Sequence, residues 1–118
     1  MNHNNSLGKE GENKAVNYLK SNNYKIINTN WRYKHKEIDI IAEIDDIIVF
    51  VEVKTRATAF FDKPSTVLTN QKIRFLLEAA EKYIEKNDIK KEARFDLIFI
   101  SKEKIEHFTE AFNPFDLK

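Results

Sequence analysis

Hydrophobic and polar positions alternate most regularly between Glu37 and Arg56. Branched aliphatic residues fill most of the alternate positions, and Asp45 and Asp46 interrupt the pattern near its centre. Alternation with a period of two is typical of β-strands, and aspartate tolerates the geometry of a tight turn. The segment therefore predicts a β-hairpin whose tip is formed by the two aspartates.

This tip fixes which residues face each other across the hairpin, because the numbers of partners in an antiparallel pair sum to a constant. One face is predicted to carry only apolar pairs: Ala42–Val49, Ile40–Val51 and Ile38–Val53. The other face is predicted to carry Ile41–Phe50, Asp39–Glu52 and Glu37–Lys54. A slip of one residue would move every side chain to the other face, so the pattern specifies the register strongly.

The rest of the chain predicts two helices and three more strands. A helix is predicted at 7–21, where Ala15 and Leu19 lie on an apolar stripe, and a second helix runs from the N-cap Thr69 to about residue 87. The further strands are predicted at 24–33, 94–100 and 104–108, with a loop at 57–68. A right-handed strand–helix–strand crossover over 47–100 would make the third and fourth strands parallel. The expected fold is an α/β mixed sheet of four to five strands flanked by helices, in the order α-β-β-β-α-β-β.

Composition fits one globular domain over residues 1–118, with a flexible tail at 1–6 and a C-terminal tail at 109–118. The chain is 42% hydrophobic and 33% charged, and it contains no cysteine, which excludes disulfides and thiolate metal sites. Apolar runs fall short of the roughly 20 residues that span a bilayer, and the N-terminal residues are polar. We therefore expect a cytoplasmic protein that makes no membrane contact. The net charge of +1 means that a nucleic-acid partner would need a local basic patch.

Asp39 opposite Glu52 is the least expected pair of the hairpin. Directly opposed Cβ atoms lie roughly 4.5–5.5 Å apart, and like charges at that distance destabilise a sheet. A divalent cation between the two carboxylates would account for the pair, because hard cations favour oxygen ligands. Neutralisation by Lys54 and nearby basic residues at a solvated edge is the alternative.

Glu12 supplies a third carboxylate on the face of the first helix that carries Ala15 and Leu19. It either interacts with the N-terminal dipole of the helix or points into a site. The only two glycines, Gly8 and Gly11, lie beside it. They indicate either a close backbone approach or simple flexibility at the start of the helix.

The order of these pieces resembles the PD-(D/E)XK nuclease superfamily, which has the restriction-endonuclease-like fold. More closely, it resembles the YraN-like family of small uncharacterised bacterial proteins, which is similar to archaeal Holliday junction resolvases. The resemblance runs from residue 8 to residue 98. The segments that carry it are Gly8-Lys-Glu-Gly-Glu12, Glu37-Ile-Asp-Ile-Ile-Ala42, Val49-Phe-Val-Glu-Val-Lys-Thr-Arg56, Lys72 and Arg94-Phe-Asp-Leu-Ile98.

This resemblance implies a metal-dependent endonuclease that acts on DNA, including branched or structured DNA. Asp39 and Glu52 would bind Mg²⁺ or Mn²⁺, with the Val53 carbonyl as a further ligand. Lys54 would orient or activate the attacking water, and Glu12 would assist at the metal. Lys72 and Gln71, at the start of the second helix, would contact the phosphate or orient the lysine.

Other basic and aromatic residues leave alternatives open. Arg56, Lys63 and Arg74 would hold phosphates around the site, or they would form a solvated basic face. Trp31 lies in a basic segment that suits nucleic-acid contact, but its side chain would also fit the hydrophobic core. Phenylalanines of the C-terminal tail predict a tail that packs back on the domain, with a homodimer as the second possibility. A nucleic-acid-binding module without catalysis and a protein-interaction domain remain alternative functions.

Overall fold

Five strands and two helices follow one another in the predicted order α-β-β-β-α-β-β within the residues that the structure describes. The structure is a computed structural model, and it describes residues 3–56, 67–102 and 104–113. The elements are α1 (His3–Ser21), β1 (Lys25–Tyr33), β2 (Lys36–Ile44), β3 (Ile47–Thr55), α2 (Asn70–Lys86), β4 (Glu92–Ile100) and β5 (Ile105–Phe108). The predicted α/β class is confirmed.

The element boundaries differ from the predicted ones by a few residues. Helix α1 begins at His3, four residues before the predicted start, and β4 begins at Glu92. The predicted N-cap of α2 is confirmed, because the Thr69 hydroxyl accepts a hydrogen bond from the backbone N–H of Lys72 at 3.1 Å. Most of the loop predicted at 57–68 lies outside the described residues.

The sheet has the strand order β1-β2-β3-β4-β5. Strands β3 and β4 are parallel, as the predicted crossover through α2 requires, and the other neighbouring pairs are antiparallel. The hairpin register is confirmed from Ile44–Ile47 to Ile40–Val51, and Asp45 in the tip adopts a left-handed φ of 52°. The hairpin therefore forms the centre of the sheet.

The two helices cover opposite faces of the sheet. Buried Ala15 and Leu19 of α1 pack in one cluster with Ile40, Ala42, Val49, Val51, Ile98 and Ile100. Helix α2 covers the other face, where its buried residues Ile73, Leu76, Ala79, Ala80 and Tyr83 pack with Ile41, Phe50, Leu97 and Phe99. The result is a three-layer arrangement with the sheet in the middle.

The predicted apolar face was wrong at Ile38. Ile40 and Ala42 pack on the α1 side, as expected, but Ile38 packs in the α2 cluster with Ile41. The alternation breaks beyond the last β2–β3 pair, Ile40–Val51, and beside Asn30 in β1, which adopts a φ of 52°. Such a left-handed residue reorients a strand locally, so side chains on the two sides of it need not share one face.

The C-terminal tail packs back on the domain as far as it is described. Phe112 is buried, and its ring lies 4.9 Å from that of Phe95. Trp31 is partly buried, with its ring edge-on to Tyr83 at 5.1 Å. Neither α1 nor α2 has the length and apolar character that crossing a membrane would need. The cytoplasmic location and the homodimer stay predictions.

Candidate active site

Strands β2 and β3 separate beyond Ile40–Val51, and Asp39 lies in the gap. Its Oδ2 accepts a hydrogen bond from the backbone N–H of Val53 at 2.8 Å. The side chain thus binds a strand donor that a neighbouring backbone carbonyl would otherwise satisfy. Asp39 consequently reaches Val53, and the register does not include the predicted pairs Asp39–Glu52, Ile38–Val53 and Glu37–Lys54.

Glu52 is the buried acid of the gap, with 4% of its surface exposed. Its Oε2 lies 3.3 Å from the Lys72 ammonium and 3.5 Å from the Lys54 ammonium. Its Oε1 is buried and has no hydrogen-bond partner among the described residues. Leaving a carboxylate oxygen unsatisfied in a buried site is unfavourable, so this atom suits a ligand that the chain itself does not supply.

The electrostatics of Asp39 also favour a positively charged ligand in this gap. Burial, the charge of Glu52 and, to a smaller extent, the charge of Glu12 raise the pKa of Asp39 to about 8, although the Val53 N–H lowers it. The raised pKa means that a second negative charge beside Glu52 is unfavourable in the protein alone. A proton or a cation would relieve that repulsion.

Glu12 is brought to this gap by a close contact between α1 and β3. A Cβ added to Gly11 would lie 2.0 Å from Thr55 Cγ2, so only glycine fits at this position without a shift. The close backbone approach, one of the two readings of the glycines, therefore holds for Gly11. A Cβ added to Gly8 would meet no atom within 4 Å.

Asn30 orients Glu12 and is the residue of the site that the sequence reasoning missed. Its Nδ2 donates to Glu12 Oε1 at 2.8 Å. The pairs Thr29–Ile40 and Trp31–Ile38 place Asn30 opposite Asp39 in the β1–β2 register. A polar residue opposite Asp39, of a type that tolerates positive φ, was the available signal. Asp39, Glu52, Glu12, Lys54 and Lys72 are called the carboxylate site below.

The other predicted phosphate-binding residues lie elsewhere. Arg56 lines a crevice of about 140 Å³ with Gly11 and Lys14, and its guanidinium lies 5.6 Å from the Phe99 ring. Gln71 and Arg74 are exposed and line a second cleft, on the α2 side. Lys63 lies outside the described residues. Of the predicted phosphate-binding residues that the structure describes, Lys72 alone forms an ion pair with Glu52.

The donor chemistry of the site fits a hard divalent cation. Within 3–56, 67–102 and 104–113, no group of three or more acidic or histidine side chains is close enough to hold a metal ion. Mg²⁺ is nevertheless commonly bound by one or two carboxylates, with water and substrate phosphate completing the shell. Asp39 and the free oxygen of Glu52 match such a partial ligand set. The Val53 carbonyl stays a predicted ligand.

A second buried acid, Asp96, has the opposite environment. Arg94 donates to its two carboxylate oxygens at 2.9 and 2.8 Å, and the backbone N–H of Glu110 donates at 3.2 Å. His107 Nε2 lies 2.7 Å from Asp96 Oδ2, and its Nδ1 lies 3.1 Å from the Tyr18 hydroxyl. Burial opposes the charged form, but hydrogen bonds from His107 and Arg94 outweigh it and hold the pKa of Asp96 below its ordinary value.

These residues join α1, β4 and β5. Arg94 also donates to the Tyr24 hydroxyl at 2.7 Å. Burial and the neighbouring Tyr24 and Asp96 raise the pKa of Tyr18. Tyr18, Tyr24, Arg94, Asp96 and His107 are called the Asp96 cluster below.

Comparison with known proteins matches residues 11–100 to a family model described as uncharacterised protein family UPF0102. A UPF0102 protein of Flavobacterium psychrophilum is 44% identical over 115 residues, which cover 94% of this chain and 97% of the relative. Relatives from Sulfurihydrogenibium sp. and Bacteroides fragilis are 44% and 43% identical over 107 and 114 residues, covering 90% and 93% of this chain and 93% and 94% of the relatives. The chain therefore belongs to the UPF0102 family, which confirms the resemblance to the YraN-like proteins.

Proposed function

We propose that this protein is an endonuclease that cleaves DNA phosphodiesters with Mg²⁺ or Mn²⁺. The observation that carries the proposal is Glu52: it is buried, two lysines hold one of its oxygens, and the other oxygen has no partner among the described residues. Asp39 lies in the same gap with a raised pKa. A buried acid with a perturbed pKa and a specific charge partner is a candidate functional group, because catalytic sites use burial and neighbouring charges to tune pKa values.

Each residue of the carboxylate site has a role under this proposal. When bound, Mg²⁺ or Mn²⁺ would polarise a phosphoryl oxygen and lower the pKa of a coordinated water. Asp39 and Glu52 bind the cation, and Lys54 places a fixed positive charge where negative charge develops on the phosphate. Lys72 holds Glu52 and contacts the neighbouring phosphate. Glu12 is oriented by Asn30 and would accept a hydrogen bond from a water of the site.

Cleavage of labelled DNA tests the proposal. Purified protein is incubated with four-way-junction, flap, single-stranded and duplex substrates in Mn²⁺, Mg²⁺ or EDTA. We expect metal-dependent cleavage that falls at least about 100-fold in Asp39→Asn, Glu52→Gln and Lys54→Ala, because each change removes transition-state stabilisation. Asp46→Asn is the matched control, since it makes the same chemical change at the exposed tip of the same hairpin.

Two results would overturn the proposal. The first is an absence of cleavage by the wild type on all four substrates with either metal. The second is cleavage that persists in Asp39→Asn at the level of the Asp46→Asn control, because the activity would then arise outside the carboxylate site.

A nucleic-acid-binding module without catalysis is the second candidate function. The observation that favours it is that Lys54 and Lys72 both lie within 3.5 Å of the same oxygen of Glu52, which neutralises that carboxylate internally. Under this alternative, Mn²⁺ would leave the thermal stability unchanged, and DNA binding would occur without turnover. A clear stabilisation by Mn²⁺ that Glu52→Gln abolishes would exclude it.

A further inference from the structure

A cleft on the α2 side of the sheet carries a concentration of positive charge beyond the carboxylate site. It has a volume of about 250 Å³ and lies between the β1–β2 turn and the first half of α2. Its exposed cations are Lys34, Lys36 and Arg74, and Glu78 is the one carboxylate that lines it among the residues that the structure describes. Such a local excess of cations is the feature that attracts a polyanion to a protein whose overall charge is close to zero.

The cleft is continuous with the carboxylate site through the ring of Phe75. The Lys36 ammonium lies 5.6 Å from the centre of this ring, and the Lys72 ammonium lies 5.5 Å from it. Lys72 also contacts Glu52 at 3.3 Å. The two ammonium groups are therefore at most about 11 Å apart, a distance that about three nucleotides of one strand span at about 3.4 Å each.

Two aromatic rings at the cleft hold ammonium groups: Phe75, which lines it, and Tyr33, which lies beside the lining residue Lys34. Tyr33 carries the Lys34 ammonium at 5.3 Å and is stacked on Trp31, while Phe75 carries Lys36 and Lys72. Proteins that bind single strands use open aromatic faces on which unpaired bases stack. Rings that instead position lysines favour contact with phosphates, and phosphates are the groups that a duplex presents outward.

We propose that this cleft binds the phosphodiester backbone of a DNA duplex on one side of the phosphate to be cleaved. Lys34, Lys36 and Arg74 contact successive phosphates of the strand that reaches Lys72, and no base edge is read. Glu78 lies 3.5 Å from Lys34 and competes with the phosphates for it. The inference rests on the proposed nuclease function. It identifies the double-stranded part of the substrate as the part that the protein binds beside the cleaved phosphate.

Binding of a short labelled duplex, measured by fluorescence anisotropy in EDTA over about 50 to 200 mM salt, tests the inference. Replacing Lys34, Lys36 and Arg74 together by glutamine should weaken binding about 10- to 100-fold and reduce the slope of log K against log salt by about 2 to 3. Glu78→Gln should tighten binding, because it removes the competing carboxylate. The matched control replaces Lys20, Lys82 and Lys86, which are exposed cations outside the cleft, by glutamine and should bind like the wild type.

Equal binding by the two triple variants would overturn the inference, and so would tighter wild-type binding to a single strand than to the duplex. Failure of the wild type to bind the duplex at low salt would also overturn it. None of these results decides the nuclease proposal, because cleavage and its loss in Asp39→Asn are measured separately. Failure of this inference can therefore be distinguished from failure of the nuclease proposal.

Discussion

Asp39 and Asp96 lie on strands of the same sheet, and burial penalises the charge of both. Asp96 accepts hydrogen bonds from Arg94, His107 and the backbone of Glu110, and its pKa is lowered. Asp39 accepts one from the backbone of Val53, has other acids beside it, and its pKa is raised. The hydrogen-bond and charge partners of a buried acid, and not its burial, therefore decide whether its charged form stabilises the fold or is suited to binding a ligand.

Removing the charge of Asp96 should have the largest effect on stability. We expect Asp96→Asn to lower the free energy of unfolding by about 3–5 kcal/mol, because Asp96 is fully buried and its replacement leaves the partly buried guanidinium of Arg94 without its counter-charge. Urea denaturation measures the change. The surface variant Asp46→Asn is the control and should stay within about 0.5 kcal/mol of the wild type. A loss as small as that of the control would show that the Asp96 cluster contributes little to the fold.

Adding a divalent cation should have the second-largest effect on stability, and this effect should depend on the site of Asp39 and not on the Asp96 cluster. Mn²⁺ at about 100 times its dissociation constant should raise the free energy of unfolding by about 2.7 kcal/mol, because it binds only the folded site. Thermal melts over a Mn²⁺ titration measure this gain. It should vanish in Glu52→Gln and persist in Tyr18→Phe, which alters only the Asp96 cluster. Stabilisation that survives Glu52→Gln would place the cation elsewhere.

The pH dependence of stability should have opposite signs at the two acids. The pKa of Asp39 is raised from 3.8 to about 8 in the folded protein. The contribution of Asp39 to the free energy of unfolding is therefore fully present below pH 3.8 and is lost as the pH rises towards 8. Asp39→Asn should therefore stabilise the metal-free protein at pH 8 by roughly 1–3 kcal/mol. Urea denaturation between about pH 5 and 8 measures this, and a variant that is less stable than the wild type at pH 8 would contradict it.

For Asp96 the sign reverses, because its folded pKa is lowered. Its contribution is present above the unfolded pKa and is lost as the pH falls through the folded value. The two acids thus have separate pH windows: stability changes below pH 3.8 for Asp96 and between pH 3.8 and about 8 for Asp39.

The smallest expected effect concerns the edge of the Asp96 cluster. Tyr18→Phe removes the hydroxyl that lies 3.1 Å from His107 Nδ1 and should cost about 0.5–1.5 kcal/mol of stability. Its affinity for Mn²⁺, measured by calorimetry, should equal that of the wild type. A change in metal affinity would show that the two acid clusters are coupled across the sheet, contrary to the comparison above.

The sequence predicted the features of this fold that depend on local periodicity. The hairpin tip, the register from Ile44–Ile47 to Ile40–Val51 and the cap at Thr69 all follow from patterns within a few residues. The parallel pairing of β3 and β4 followed from the intervening helix. The family resemblance singled out Lys72 for the site but gave it the phosphate or Lys54 as its partner, whereas the structure pairs it with Glu52. Periodicity does not specify which helix residue meets a strand.

Two sets of contacts between residues far apart in the chain were not predicted. The break at Asp39 depends on β1, whose residue Asn30 has a left-handed backbone conformation that no local pattern required. The Asp96 cluster joins Tyr18 to His107, which are 89 positions apart, so neither residue indicates the other in the sequence. Tertiary packing decides such contacts, and periodicity carries no information about them.

The hairpin that holds Asp39 and Glu52 also has a consequence for the kinetics of folding. Its two strands are joined by a two-residue turn, and such hairpins form within about 1–10 μs. Lys54 lies on the same strand as Glu52, whereas Lys72 reaches Glu52 only after α2 has docked on the sheet, so the two acids meet with one of the two counter-charges still absent. We expect Asp39→Asn to accelerate folding of the metal-free protein in stopped-flow experiments, with little change in the unfolding rate. A slower unfolding rate at an unchanged folding rate would show that the acids come together only after the transition state.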